Sequence, residues 1–258
     1  MNSGLSSRSS ANISSRGEEN TLGLRINRFL ASSGLGSRRR VEESIRRGEV
    51  TVDGKVLSDL SFRVQPGVKV KYRGRLIKPR PHLSLMLNKP NNCICSRNDP
   101  QKRFTVMDCL EKKYQHLYPI GRLDRNTTGL LLLSNEGALA QRLSHPSYEI
   151  EKIYQVQLDQ PIREPDIKRL CSGIMDKGEN LVFDRVKPLS SGVEVEISLH
   201  SGKNRVIRRA LEALNYKILS LHRISYGNLI LSNLARGKYR PLTSQELRKL
   251  RHLISSQK

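Results

Sequence analysis

The sequence contains no tryptophan, and aromatic residues make up only 5% of its 258 residues. Acidic residues are also scarce: 24 Asp and Glu stand against 46 Lys and Arg, which leaves a formal net charge of +22. No apolar run approaches the roughly 18 residues of a membrane-spanning helix, which argues against a spanning protein. The positive charge is spread along the chain and indicates a polyanionic partner, for which nucleic acid fits better than a membrane surface.

The four cysteines do not have the spacing of a metal site. Cys93 and Cys95 are separated by one residue, and no second pair or nearby histidine completes a tetrahedral ligand set. We therefore expect no metal ion, and reduced thiols in a cytoplasmic protein. The Ser-rich residues 1–21 contain Arg8 and Arg16 and loosely resemble an organelle transit peptide, but they lack an amphipathic pattern, which favours a disordered basic tail.

The residues after this tail predict a small domain over 22–72. Apolar residues with helical spacing begin at Leu24, and Ser37 is suited to cap a second helix that ends near Gly48. An Asp-Gly pair at 53–54 between short alternating segments predicts a hairpin. The expected domain therefore has two helices followed by a small sheet.

A second domain is predicted over residues 83–253, after a linker of Gly, Pro and basic residues at 73–82. Strands and helices are mixed there without a regular βαβ rhythm, which predicts an α+β domain with a largely antiparallel sheet. The predicted strands are 83–87, 129–133, 153–158, 193–199 and 217–224, and the predicted helices are 138–143, 164–172, 203–214 and 244–253.

The second helix of the small domain carries an arginine cluster around its apolar residues Val41 and Ile45. So many guanidinium groups on a short helix repel one another unless they meet phosphates, so we interpret the cluster as a surface for the RNA or DNA backbone. A solvated charged face is the alternative interpretation. The cluster consists of Arg38, Arg39, Arg40, Arg46 and Arg47.

A second basic cluster follows a predicted strand at residues 201–209. A phosphate-binding P-loop is excluded, because no glycine stands five residues before Gly202 and Asn204 takes the place of the required Ser or Thr. The segment is either an anion site at a helix N-terminus or a basic surface helix, and the residue types alone leave both possible. Its basic residues are Lys203, Arg205, Arg208 and Arg209.

The loop at residues 121–129 places Asp124 between Arg122 and Arg125, directly before the apolar run 130–133. A charged loop on a buried strand is a usual place for chemistry, although Asp124 could instead serve only to pair with a neighbouring arginine. Further along, strand alternation puts Lys152 and Tyr154 on one face. That tyrosine either stacks on a base or covers the surface of a sheet.

Taken together, six stretches resemble RsuA-type pseudouridine synthases over residues 83–250. The small domain resembles the RNA-binding domain named after ribosomal small-subunit protein four, through residues 36–39 and 50–54. The six stretches are Gly121-Arg122-Leu123-Asp124 with residues 127–137, Leu87-Asn88-Lys89-Pro90, His145-Pro146, Lys152-x-Tyr154, residues 202–209, and Arg223-Ile224-x-Tyr226-Gly227.

The resemblance implies an enzyme with a mixed sheet and a central cleft that isomerises one uridine of ribosomal RNA to pseudouridine, without a metal or cofactor. Asp124 would attack C1′ of the ribose or take the 2′ proton. Tyr154 would stack on the uracil and assist the later deprotonation, and Arg208 would pair with Asp124. Ile207 would pack under the base, and Arg122 would help to hold the nucleotide out of its stack.

The resemblance also predicts residues that contact the RNA, and a partner. Lys89, Lys152, Lys203, Arg205 and Arg209 are expected to bind substrate beside the arginine cluster of the small domain. The partner would be ribosomal RNA or a ribosome assembly intermediate, with large-subunit RNA favoured, and the protein would be a monomer. A catalytically silent RNA-binding protein is the main alternative, while a methyltransferase is disfavoured because no Gly-rich nucleotide loop follows a strand.

Overall fold

A computed structural model describes residues 23–256, so the tail predicted for residues 1–21 lies outside the described residues. The chain divides into two compact units, residues 1–81 and 82–258. In the first unit the elements are β1 (Leu24–Arg25), α1 (Ile26–Ser32), α2 (Arg38–Arg46), β2 (Val50–Val52), β3 (Lys55–Val56), β4 (Arg63–Val64), β5 (Val70–Tyr72) and β6 (Arg75–Leu76).

The first unit packs its two helices on a four-stranded antiparallel sheet in the order β3-β2-β5-β6. Ser37 caps α2 by accepting the N–H of Arg40, and the buried Val41 and Ile45 face the core. The five arginines of the predicted cluster are all exposed on the remaining surface of this segment.

The predicted linker is wrong over most of its length. Strand β6 lies within residues 73–82 and pairs with β5, and the N–H of Arg80 donates to the carbonyl of Ser32. Strand β5 pairs with β2 along one edge, and β6 pairs with its other edge, which would otherwise be free. The segment therefore completes the sheet of the first unit. The boundary between the units therefore falls between Pro81 and His82.

The second unit combines a large sheet with four helices among its described residues. In chain order its elements are β7 (Ser84–Lys89), β8 (Tyr118–Ile120), β9 (Thr128–Ser134), α3 (Gly137–Ser144), β10 (Lys152–Leu158), α4 (Glu164–Ser172), β11 (Ile174–Asp176), β12 (Glu179–Leu181), β13 (Arg185–Pro188), β14 (Glu194–Leu199), α5 (Val206–Ala213), β15 (Ile218–Tyr226), β16 (Leu229–Ile230), β17 (Tyr239–Pro241) and α6 (Ser244–Ser255). Two 3-10 turns lie at Lys112–Tyr114 and Pro146–Tyr148.

The main sheet has the order β13-β14-β10-β15-β9-β7-β17, with β16 paired to β15 and β8 to β9. Every pairing in it is antiparallel except that of β15 with β9. The predicted α+β class with a mixed, largely antiparallel sheet is confirmed. Strand β9 is buried on both faces: Leu131 and Leu133 belong to one apolar cluster, while Leu130 and Leu132 belong to the other.

One predicted helix begins later than its sequence pattern suggests. Arg205 has a left-handed backbone with φ of 50°, and α5 starts at Val206, so Lys203 and Asn204 lie in the loop before the helix and not in its first turn. The directions of the Lys203 and Asn204 side chains are therefore set by the loop and not by the periodicity of α5.

Helix α6 depends on a capping box. Thr243 accepts the N–H of Glu246, and the Glu246 carboxylate accepts the N–H of Thr243. We expect Thr243→Ala to lower the free energy of unfolding by about 1 kcal/mol, because one N–H of the first turn loses its acceptor. Urea denaturation measures this change. Ser244→Ala, at the neighbouring exposed position, should be nearly neutral, and equal effects of both substitutions would contradict the capping role.

Candidate active site

The second unit contains a cleft with a volume of about 540 Å³. Most of its walls come from the loop 121–127, the start of β10, strand β15 and the segment 199–208, and residues 94–95, 143–146 and 150 complete them. Four segments distant in the sequence thus meet at one place, because β10 and β15 are neighbours in the sheet and β15 also pairs with β9, which follows the loop. Eight of the predicted site residues line the cleft directly: Arg122, Asp124, Lys152, Tyr154, Lys203, Arg205, Ile207 and Arg208.

Lys89 anchors the loop that carries Asp124. Its side chain is fully buried, and Nζ donates to the carbonyl oxygens of Pro90, Arg125 and Thr127 at 3.1, 3.1 and 2.7 Å. Burial lowers the pKa of this ammonium group. Three acceptors use all three of its N–H groups, so the prediction that Lys89 contacts substrate is replaced by a structural role: it ties the loop segment that follows Asp124 to the end of β7.

A second contact holds the loop from its other side. The N–H of Leu123 donates to Sγ of Cys95 at 3.3 Å, and Cys95 itself lines the cleft. The N–H of Cys93 donates to the carbonyl of Arg125. Cys95, through its sulfur, and the fully buried Cys93, through its backbone N–H, therefore hold the loop backbone on both sides of Asp124.

The Asp124 carboxylate faces two arginines without being tied to either. Nε of Arg208 lies 3.7 Å from Oδ2, and Nη1 of Arg205 lies 4.0 Å from the same oxygen. These distances are longer than hydrogen bonds, so the guanidinium groups attract the carboxylate but leave its lone pairs open. The side chain of Asp124 remains 33% exposed, while that of Arg208 is only 13% exposed.

Arg208 is held by the loop that it faces. Its Nη2 lies 3.4 Å from Oγ1 of Thr127 and 3.5 Å from the carbonyl of Asn126, while its buried Nε has no hydrogen-bond partner among residues 23–256. Burial and the neighbouring Arg205 lower its pKa. The N–H of Nε can donate a hydrogen bond to Asp124 once the carboxylate moves closer, or to an acceptor on a ligand that enters the cleft.

The neighbouring Arg209 has a different role from the one the sequence suggests. Its guanidinium donates to the carboxylates of Asp176 and Glu179 at 2.5 and 2.6 Å, which ties α5 to the hairpin of β11 and β12. It is absent from the cleft lining, and its donors are occupied, so we correct its assignment from substrate contact to structural ion pair. Lys203 lines the cleft, but its Nζ also donates to the carbonyl of Asn180 in this hairpin.

Tyr154 and Lys152 line the cleft from strand β10. The Tyr154 side chain is buried in β10 between Ile197 of β14 and Arg223 of β15 in the strand registers. Nζ of Lys152 donates to the carbonyls of Ile150 and His200, both at 2.7 Å. Burial, followed by the nearby Arg223, lowers the pKa of Lys152 to about 8.

The arginine cluster of the first unit is exposed, but its members differ in availability. Arg47 donates to the carboxylate of Glu49, which also accepts from Arg73, and these two arginines lower the pKa of Glu49 to about 2. The charge of Arg47 is therefore partly neutralised within the unit, so Arg47 attracts a phosphate less than an unpaired arginine does. The segment from residue 38 to residue 46 carries the rest of the cluster.

Arg223 is a cleft residue to which the sequence analysis assigns no role, although it belongs to one of the quoted stretches. It is 3% exposed, and its Nε donates to the carbonyl of Leu130 at 2.8 Å, across the parallel junction of β15 and β9. A charged residue inside a largely apolar strand is the signal that marks it.

Throughout the described range 23–256, no helix is long and apolar enough to cross a membrane, and no His, Cys, Asp or Glu residues are grouped as metal ligands would be.

Comparison with known proteins places this geometry in context. Residues 82–213 match the family model described as RNA pseudouridylate synthase, and residues 24–70 match the S4 domain. The ribosomal large subunit pseudouridine synthase B of Bacillus subtilis (strain 168) is 34% identical over 237 residues, which cover 89% of this chain and 96% of the relative. The protein of the same description from Escherichia coli (strain K12) is 36% identical over 243 residues, covering 89% and 83%. A crystal structure of a pseudouridylate synthase matches with a TM-score of 0.64 at 29% identity, covering 88% of this chain and 100% of that one.

Proposed function

Because the chain belongs to the RNA pseudouridylate synthase family and carries an S4 domain, we propose that it isomerises one uridine of large-subunit ribosomal RNA to pseudouridine. The predicted family and enzyme class, and the RNA-binding type of the small domain, are confirmed by these matches. The preference for large-subunit RNA is supported by two relatives of 34% and 36% identity, both named ribosomal large subunit pseudouridine synthase B. The main alternative, a silent RNA-binding protein, is left as an outcome of the test below.

We assign the central role to Asp124, and the observation that carries this assignment is its carboxylate. It lies in a cleft, on a loop anchored by Lys89, and is attracted by two guanidinium groups that do not occupy its lone pairs. Such a carboxylate is available either to attack C1′ of the ribose or to remove the 2′ proton. In both cases the bond between C1′ and N1 breaks and its electron pair leaves with the uracil.

The remaining steps complete an isomerisation. The detached uracil rotates, and its C5 forms a bond to C1′ as the bond from Asp124 to C1′ breaks or, in the other route, as the 2′ proton returns. C5 then loses its proton and N1 gains one, so that atoms balance without an oxidant or reductant. Tyr154 stacks on the uracil and assists this last deprotonation, Ile207 packs under the base, and Arg208 orients Asp124. Arg122, exposed at the cleft, helps to keep the nucleotide out of its stack. We propose that no metal or cofactor takes part, because every bond change is assigned to carboxylate and phenol chemistry.

The arginine cluster of the S4 domain supplies phosphate contacts that hold the RNA. Lys203 and Arg205 add charge at the cleft, where both are exposed. We further propose a monomer that works in the cytoplasm on ribosomal RNA or on an assembly intermediate. Size measurement at high salt tests the monomer, and a stable dimer would contradict it.

The decisive experiment maps pseudouridine across ribosomal RNA by carbodiimide treatment and primer extension, with and without this protein. We expect one site in large-subunit RNA to disappear without the protein and to return with it. Unchanged modification at every site, together with tight RNA binding in vitro, would favour the silent RNA-binding protein. A site in small-subunit RNA would correct the proposed substrate while keeping the enzyme.

The low pKa of Lys152 predicts how RNA binding depends on pH. Its ammonium is charged below pH about 8 and loses its charge as the pH rises through that value, so its attraction for RNA weakens in this direction. Arg223 lowers this pKa and Asp184 raises it, while His200 contributes only a backbone acceptor. We expect affinity for a labelled ribosomal RNA fragment to fall by up to roughly tenfold between pH 7 and pH 9.5.

Lys152→Arg separates this effect from other titrations, because a guanidinium stays charged over the whole range. Fluorescence anisotropy from pH 7 to pH 9.5 should show a flat profile for this variant. Lys187→Arg, a replacement on the exposed edge strand β13, should follow the wild-type curve. Bound RNA moves the midpoint above the value in the free protein, since it stabilises the charged form. A wild-type profile that is also flat would remove Lys152 from the RNA contacts.

A further inference from the structure

Arg223 carries a buried hydrogen-bond donor with nothing to donate to. Its Nε is satisfied by the carbonyl of Leu130, but its Nη2 is inaccessible and has no partner within residues 23–256. A buried guanidinium N–H without an acceptor is costly, and such a group in the wall of a cleft calls for a ligand atom that accepts. The residue is 3% exposed and lines the cleft, so a ligand that enters the cleft reaches Nη2 once the side chains that cover this nitrogen shift.

The surroundings of Arg223 indicate what this acceptor is. Its Cζ lies 4.8 Å from the ring centre of Tyr226 and 6.0 Å from that of Tyr154, and its charge lowers the pKa of Lys152. The back of the cleft therefore combines flat aromatic rings with two cations. Flat rings favour a planar ligand, and cations favour an oxygen acceptor that is partly negative.

Depth distinguishes the parts of a nucleotide that could reach this place. The phosphates of an RNA strand stay on its backbone, near the mouth of the cleft, whereas a flipped base enters furthest. A uracil offers two carbonyl oxygens as acceptors, and a guanidinium is only a donor. When the bond from C1′ to N1 breaks, the electron pair that leaves with the uracil spreads to these oxygens, which strengthens a hydrogen bond from a cation at that stage.

We propose that Nη2 of Arg223 donates a hydrogen bond to a carbonyl oxygen of the target uracil. This inference rests on the proposed function and adds a base-binding residue to it. If the oxygen is O4, Arg223 also excludes cytosine, because the amino group of cytosine presents donors at the same position.

Sulfur substitution tests the contact, because a thiocarbonyl is a weak acceptor. Ribosomal RNA fragments would carry uridine, 2-thiouridine or 4-thiouridine at the target position, and single-turnover rates would be measured for the wild type and Arg223→Leu. We expect one of the two sulfur substrates to react roughly 10- to 100-fold more slowly with the wild type. Arg223→Leu should be slow on uridine and show no further slowing with that sulfur substrate.

Two further variants keep the test decisive. Arg223→Lys retains the charge but not the forked donor, and should lose the sulfur effect even if Arg223→Leu unfolds. Arg185→Leu replaces an exposed arginine of β13 that pairs with Glu196 outside the cleft, and should behave as the wild type. Full sulfur effects retained in both Arg223 variants would overturn the proposal and leave Arg223 as a support for Leu130. An absence of product from the wild type with uridine would instead contradict the proposed function.

Discussion

Asp124→Asn is expected to reduce pseudouridine formation by roughly 10⁴-fold or more while the protein folds and binds RNA normally. The amide keeps the shape of the side chain and can sit beside Arg208 and Arg205, but it can neither attack C1′ nor take a proton. Since the carboxylate makes no short ion pair, its loss leaves few groups without partners. Single-turnover assays with the ribosomal RNA fragment measure the rate, and anisotropy measures binding.

The matched control is Glu194→Gln, a carboxylate removed from an exposed position of β14. This variant should keep full activity. Asp124→Glu should be folded and strongly impaired, since displacing a reacting atom by about 1 Å costs on the order of 10²-fold. Product formed by Asp124→Asn at near the wild-type rate would remove Asp124 from the chemistry and transfer attention to Tyr154.

Gly129→Ala is expected to destabilise the second unit by more than about 3 kcal/mol, the largest effect predicted for a single methyl group. An added Cβ would lie 2.3 Å from the carbonyl oxygen of Arg223 and 2.6 Å from its nitrogen, at a φ of +105°. Backbone cannot move aside as a flexible side chain can, so β9 and β15 would separate where their parallel pairing meets the Asp124 loop. Urea denaturation and pseudouridine formation would both report the loss.

Gly178→Ala provides the control, because Gly178 has a φ of +77° but nothing within 4 Å of an added Cβ. Only the backbone conformation is then unfavourable, and the expected cost is about 1 kcal/mol. Similar losses for the two variants would mean that backbone conformation, and not the contact with Arg223, explains the effect at Gly129.

The architecture was largely accessible from local patterns. Helix α4 has the predicted bounds, residues 164–172, because Pro165 and the acidic residues at its start are local signals of a helix N-terminus. The uninterrupted leucines of β9 indicated a strand buried on both faces, since alternation places them in two different cores. The exception is the segment 73–82. Its Gly and Pro residues predicted a linker, but residues 75–76 form strand β6 of the first unit.

The roles of individual cations were not accessible in this way. Arg208 and Arg209 are adjacent and chemically identical, yet one faces Asp124 and the other is held by Asp176 and Glu179 of a hairpin about 30 residues earlier. Lys89, in a stretch typical of the family, donates to the carbonyl of the adjacent Pro90 and to two carbonyls of the Asp124 loop, which leaves it no N–H for substrate.

By itself the sequence determined the class of fold, the RNA-directed charge and the motifs that mark the family, because periodicity, charge and motif spacing are properties of neighbouring residues. The tertiary structure alone decided which charged groups remain available to a ligand and which are occupied by hydrogen bonds or ion pairs within the protein. A hydrogen-bond donor is committed by the acceptor that it meets in space, and Lys89, Arg209 and Arg223 each donate to an acceptor 30 or more residues away in the chain.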